Sequence, residues 1–262
     1  MTMLKKLTLA ISAASAVTVS SFAAAETVKS PIGDFDVSMN AALTTDYIYR
    51  GVSQTQGKGA IQGGLDVAHD SGLYVGTWAS NVDFVAADGN DANVEFDYYL
   101  GFTNNITDDI SYDLGWIKYD YPGATAANYS EYYGSLTAYG FKVGAAYSDD
   151  FAMFGSNGLA DDNTTLYTYI GYDYTLPYEI GLALQYGNYD FKDNIFLNSA
   201  GVGKEDSYND WSIGLTKTYA GLDFGMTYTD TSLSDSECKG FAAGGKSDYC
   251  DANFVVSVSK SL

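Results

Sequence analysis

Val94-Glu95-Phe96-Asp97-Tyr98-Tyr99-Leu100-Gly101-Phe102-Thr103 is the stretch that decides the fold. Val94, Phe96, Tyr98, Leu100 and Phe102 share one parity. Glu95, Asp97, Tyr99, Gly101 and Thr103 share the other. Successive side chains of an extended chain point to opposite faces. The stretch is therefore a strand with one apolar face and one face that carries two carboxylates. Helical periodicity would mix the two sets around the circumference and leave no clean apolar side.

The rhythm continues outward from there. Ile110, Tyr112, Leu114 and Trp116 alternate with Ser111, Asp113 and Gly115. Ile180, Leu182, Leu184 and Tyr186 alternate with Gly181, Ala183, Gln185 and Gly187. Leu222, Phe224, Met226 and Tyr228 alternate with Asp223, Gly225, Thr227 and Thr229. Weaker versions put Val37, Met39, Ala41, Leu43, Thr45 and Tyr47 on one face, and later Phe254, Val256, Val258 and Leu262. Leu73 to Phe84 also reads as a strand. Its faces stay unassigned, because Tyr74 and Trp78 oppose Leu73 and Val75.

The connections sort by length. Short ones include Asp70-Ser71-Gly72, Tyr139-Gly140 and Ala220-Gly221. They alternate with longer ones: Arg50 to Gly59, Val85 to Ala92, Asp120 to Ser130, Ser148 to Asn163, Asp190 to Asn209 and Asp230 to Asp251. An even number of strands, with short turns at one end and long loops at the other, is the pattern of a transmembrane β-barrel. The expected fold is all-β: a closed antiparallel transmembrane barrel of about 12 strands, with short periplasmic turns and longer extracellular loops. A soluble β-sandwich alternates too, but it needs neither this loop asymmetry nor aromatic residues at both ends of the apolar faces. Here Tyr47, Tyr147, Tyr186, Trp211 and Tyr228 fall at the outer ends, and Phe102, Tyr172 and Tyr219 at the inner ends.

Residues 1–25 read as a signal peptide. Lys5 and Lys6 precede an uncharged stretch from Leu7 to Val19, and Ala23-Ala24-Ala25 precedes Glu26. Residues 26–34 are then a short lead and 35–262 the barrel. The apolar stretch is too short for a membrane-spanning helix, which needs about 20 residues. The last apolar face, ending at Leu262, resembles the terminal strand read by barrel-assembly machinery, although most such strands end in Phe.

Composition removes several function classes. The formal charge is −20, from 33 acidic residues against 13 Lys and Arg. Arg50 is the single arginine. Nucleic acid is excluded as a partner, because phosphates need Lys and Arg. The 24 Tyr and 13 Phe exclude disorder despite the charge. No phosphate loop, nucleotide motif or metal-finger spacing is present. His69, the only histidine, sits beside the Asp70-Ser71-Gly72 turn on the lipid-facing parity, a poor place for a catalytic base. No enzymatic activity, cofactor or metal is expected. Cys238 and Cys250 read first as a disulfide in an exported protein. Free thiols, or a metal held with Asp235, Glu237, Asp248 and Asp251, are the alternatives.

If the apolar faces meet lipid, the other parity lines a lumen. It would carry Asp46, Asp66, Glu95, Asp97, Asp113, Glu131, Asp173 and Asp223, against Arg50 and Lys142. Carboxylates along a channel stabilise cations and repel anions. A cation-preferring pore is the expectation. A sealed barrel, in which these acids pair or merely keep the interior wet, is the alternative. Arg50 would point inward beside Asp46. It reads either as a constriction residue or as a salt bridge that pins the first long loop.

Leu43-Thr44-Thr45-Asp46-Tyr47-Ile48-Tyr49-Arg50-Gly51-Val52-Ser53-Gln54 resembles the opening hallmark of the TorF-type porin family, proteobacterial exported proteins of unknown function. Gly72-Leu73-Tyr74-Val75-Gly76-Thr77-Trp78-Ala79-Ser80-Asn81-Val82 and Glu95 to Phe102 fit it as well. The resemblance covers essentially the whole chain after residue 25. It implies an outer-membrane barrel and supplies no catalytic residues. The functional expectation is passive diffusion of small hydrophilic solutes or cations, in contact with outer-membrane lipid. A sealed barrel acting through its acidic loops is the alternative.

Overall fold

The computed structural model describes residues 26–86, 89–151, 164–193, 196–197, 203–241 and 247–262. The signal-peptide reading of residues 1–25 lies outside the described residues, as do parts of four of the longer loops. Twelve antiparallel strands close a ring: β1 (Phe35–Thr44), β2 (Ala60–His69), β3 (Leu73–Val85), β4 (Asp91–Asn105), β5 (Ile110–Asp120), β6 (Tyr129–Ala138), β7 (Phe141–Ser148), β8 (Thr165–Leu176), β9 (Ile180–Phe191), β10 (Ser207–Tyr219), β11 (Leu222–Thr231) and β12 (Asn253–Ser261). Each strand pairs with its sequence neighbours, and β12 returns to β1. The all-β closed barrel is thus the observed fold.

The alternation read in β4 is realised residue by residue. Glu95, Asp97 and Tyr99 are buried, while Tyr98 and Leu100 are exposed. Met39, Leu43, Ile61, Leu114, Val143, Ile170, Leu184, Ile213, Met226 and Val256 are exposed on the outside of other strands. So wide an apolar coat is unfavourable in water and suits lipid. Closure of the ring leaves no long unpaired strand edge in that coat.

β3 has two apolar faces for different reasons. Leu73 and Val75 point outward, whereas Tyr74 and Trp78 line the interior. A register irregularity between Asn81 and Phe84 follows, and Val82 and Phe84 are buried inside. The interior has its own aromatic rule. Tyr99 stands opposite Gly76, Tyr74 opposite Gly101, Tyr133 opposite Gly115 and Tyr169 opposite Gly144. A Cβ added to Gly101 would lie 2.3 Å from the Tyr74 hydroxyl, and one on Gly76 2.3 Å from the Tyr99 ring. Each ring lies across the glycine of the next strand, along the wall.

The two ends differ. Tyr139-Gly140 and Ala220-Gly221 have positive φ at both residues, the type I′ geometry that joins twisted strands in two residues. They belong to the short-turn end. At the other end β3 and β4 run on until 86–90 separates them, the shortest connection there and still longer than 106–109, the longest at the short-turn end.

The closing seam is short. Ser257–Ser261 pairs with Asn40–Thr44, and Met39 and Leu262 exchange backbone hydrogen bonds of 3.0 and 2.8 Å. Below them the same edge of β1, Phe35–Val37, is covered by Glu26–Val28. His69 helps to hold this lead. Its ring nitrogens lie 2.7 Å from Ser71 Oγ and 3.0 Å from the Ile32 carbonyl, and it packs on Phe35. That is a structural role.

Cys238 and Cys250 form a disulfide, and both are buried. The bond removes both sulfurs as metal ligands. Cys238 lies on α1 (Asp235–Phe241). The Ser234 amide donates to Glu237 Oε2 at 2.7 Å, half of a capping box that fixes the start of this short helix.

Candidate functional site

The chain leaves the wall after Thr45 and folds into the barrel. Ile48–Tyr49 pairs with Val52–Ser53, and Arg50-Gly51 forms the tip, with φ of 47° and 81°. Both values are positive, so the finger is a miniature type I′ hairpin. Glycine is needed at the second position for space as well as for φ, since a Cβ there would lie 2.3 Å from Thr231 Cγ2.

Two expectations are corrected here. Tyr47 is not an outer-girdle tyrosine. It is 2% exposed inside the barrel, donates to Glu95 at 2.8 Å and packs edge-on against Trp78. Asp46 and Arg50 do not continue strand parity. Asp46 is the base of the finger, accepting from Ser53 and Thr55 at 2.7 Å each and from Asn253 at 2.6 Å. Burial raises its carboxyl above the ordinary value, against the pull of those bonds. The alternation holds through exposed Thr45, whose amide still donates to the Val256 carbonyl of β12 at 2.9 Å, and fails at Tyr47. The chain uses Asp46 to turn away from the sheet.

Arg50 ends at the centre of the site. Its partner is Glu131, at 2.8 Å, rather than Asp46. The guanidinium carbon lies 4.7 Å from the Tyr49 ring centre, 4.2 Å from that of Tyr167 and 4.4 Å from that of Tyr189. Burial, the largest single effect, opposes its charge, but Glu131 and the surrounding tyrosines together outweigh it, and the group is held more firmly protonated than a free arginine. Tyr208 donates to the Arg50 carbonyl at 3.0 Å. The salt-bridge reading of Arg50 describes this geometry, with a different carboxylate.

The wall around the finger is acidic and tyrosine-rich. Glu131 also accepts from Tyr119 at 3.1 Å. Asp210 accepts from Tyr167 at 3.0 Å. Asp97 is 1% exposed and lies against Glu95, its side-chain hydrogen-bond partner. Toward the short-turn end, Asp66 accepts from Tyr99 at 2.6 Å and Asp113 from Tyr74 at 2.7 Å. Lys142 lies 5.9 Å from the Tyr169 ring centre and near enough to Asp113 and Asp173 for their charges to act on it. Asp173 shares the inward parity near the short-turn mouth, and so does Asp223, which accepts from Thr218.

The structure therefore brings Glu95, Asp97, Glu131 and Arg50 into one tier and Asp66, Asp113, Asp173 and Lys142 into another, with Asp223 apart at the rim. Sequence reasoning missed Asp210 and the inward tyrosines Tyr119, Tyr167, Tyr189 and Tyr208. Asp210 was legible. It alternates with Trp211 and Ile213 once β10 is allowed to begin at Ser207. The tyrosines were hidden because an amphipathic ring suits a wet lumen as well as a lipid interface.

Among solved structures, the KdgM porin aligns with a TM-score of 0.51 at 8% identity, over 86% of this chain and 99% of that one. The NanC porin aligns with a TM-score of 0.50 at 10% identity, over 85% of this chain and 97% of that one. These likenesses are of fold. No curated protein matches the chain by sequence. The match that extends through the finger, the acidic tiers and the closing strand covers residues 28–262, and by it the chain belongs to the Gcw_chp family of bacterial proteins of unknown function.

Proposed function

We propose that the chain is an outer-membrane channel of the porin kind, passing small hydrophilic solutes or ions, with a preference for cations and with the finger as its constriction. The observation that carries this reading is a lumen wall bearing Glu95, Asp97, Asp113, Glu131 and Asp210 inside an apolar coat. Low-dielectric walls strengthen the field of such carboxylates on a passing ion. The short-turn end and both chain ends face the periplasm in this reading, and the barrel-assembly machinery inserts the chain after export. The TorF-type resemblance agrees with it. A KdgM structure holds disordered oligogalacturonate, a polyanion. That solute is not carried over, because an acidic lumen repels it.

The packed finger favours a second reading, a sealed barrel that displays its acidic loops. Single-channel current in a planar bilayer under a KCl gradient separates the two. Discrete steps that reverse on the potassium side are expected. Steps without cation preference would remove the role of the acidic tier. Folded, inserted protein that passes no current would leave the sealed barrel.

A further inference from the structure

We infer that the Arg50 seat is a binding site for the guanidinium or primary ammonium group of a solute, and that Arg50 occupies it as the chain's own stand-in. For its place in transport the inference rests on the channel reading.

Most of the seat belongs to the wall and not to the finger. Glu131 comes from β6, Tyr167 from β8 and Tyr189 from β9, and only Tyr49 comes from the finger itself. Withdrawing the finger would leave a carboxylate facing two tyrosine rings. A flat, delocalised cation is the ligand this arrangement fits, because it stacks on ring faces and presents a fork of donors to a carboxylate. A primary ammonium would fit less well, and an anion not at all.

A further observation points the same way. Arg50 leaves the tier short of positive charge. Asp97, buried, hydrogen-bonds side chain to side chain with Glu95 and is close enough to Glu95 and Glu131 for their charges to repel. A buried carboxylate in that state gains from an incoming cation. A solute that displaces Arg50 meets a second acid beside the first.

The test is methylguanidinium binding to the detergent-solubilised protein, followed by calorimetry and tyrosine fluorescence. Arg50→Ala should bind methylguanidinium saturably and at least about tenfold more tightly than the unaltered protein, where the tethered side chain competes. Adding Glu131→Gln to Arg50→Ala should abolish that gain, and sodium should not reproduce it. Should Arg50→Ala fail to fold, methylguanidinium present during refolding should restore the heat-modifiable barrel. Equal binding by Arg50→Ala and the unaltered protein would overturn the inference. So would binding indifferent to Glu131→Gln, or failed refolding that methylguanidinium does not rescue. Bilayer current keeps the two proposals apart. Binding without current sinks the channel and leaves the seat, and current without binding does the reverse.

Discussion

Replacing Glu131 with Gln keeps the side chain's shape and removes its charge, which isolates the bond that holds the finger down. The side chains of Arg50 and Glu131 are 6% and 2% exposed, so the pair is shielded from bulk water. Stripping one partner from a buried pair costs about 3–5 kcal/mol. Part of that is retained here, because the amide oxygen of the new side chain would still accept a hydrogen bond and the rings of Tyr49, Tyr167 and Tyr189 still face the cation. A net loss of about 2–3 kcal/mol corresponds to a roughly 30- to 150-fold larger undocked population. Arg50 supplies its own assay. It is the only arginine, so an arginine-specific protease can cut the chain in one place, and Arg50 is 5% exposed while docked. Where the finger recloses faster than it is cut, the cleavage rate tracks the undocked population. Cleavage of Glu131→Gln should therefore rise by that factor, with heat-modified gel mobility unchanged. A rise under about threefold, or rapid cutting of the unaltered protein, would refute the assignment of Glu131 as the latch.

Three other outcomes are expected. Gly101→Ala pushes a methyl group against Tyr74 and the Leu114 carbonyl, and should destabilise the barrel by about 1–3 kcal/mol, seen as a lower urea midpoint for the gel-shifted form. Cys238→Ser opens a loop whose ends are 12 residues apart; the chain-entropy cost is about 3 kcal/mol, and it should appear as faster trypsin cleavage at exposed Lys239 with the barrel's urea midpoint unmoved. Asp97→Asn combined with Glu95→Gln should move the KCl-gradient reversal potential toward zero, and an unchanged potential would separate cation preference from this tier.

The wall of the barrel was legible because lipid and lumen impose opposite chemistry on alternate residues. Glu95 and Asp97 against Phe96 and Tyr98 leave one solution. β3 was not legible, because its lumen face is aromatic and its lipid face aliphatic, and hydropathy does not tell the two apart. The finger escaped for another reason. Tyr47 keeps the alternation of Leu43 and Thr45, although the backbone leaves the sheet between Thr45 and Tyr47. The bonds that turn it, from Asn253 and Thr55 to Asp46, join residues that no local pattern connects. Arg50-Gly51 marked a turn, but nothing near it in sequence names Glu131, 81 residues away, as the partner.

The seam between β1 and β12 has a mechanical consequence. Elsewhere in the wall, neighbours such as β8 and β9 are joined along Thr165 to Leu176, whereas the seam joins Met39–Thr45 to Val256–Leu262. Its bonds lie in series along one line, so a force prising the two strands apart loads them one after another and never all together. A cylinder built this way has a weakest generatrix. Under a sideways pull it should unzip there and unroll into a flat, curved ribbon, with the Glu26–Val28 flap the last piece still fastened to the lower edge of β1.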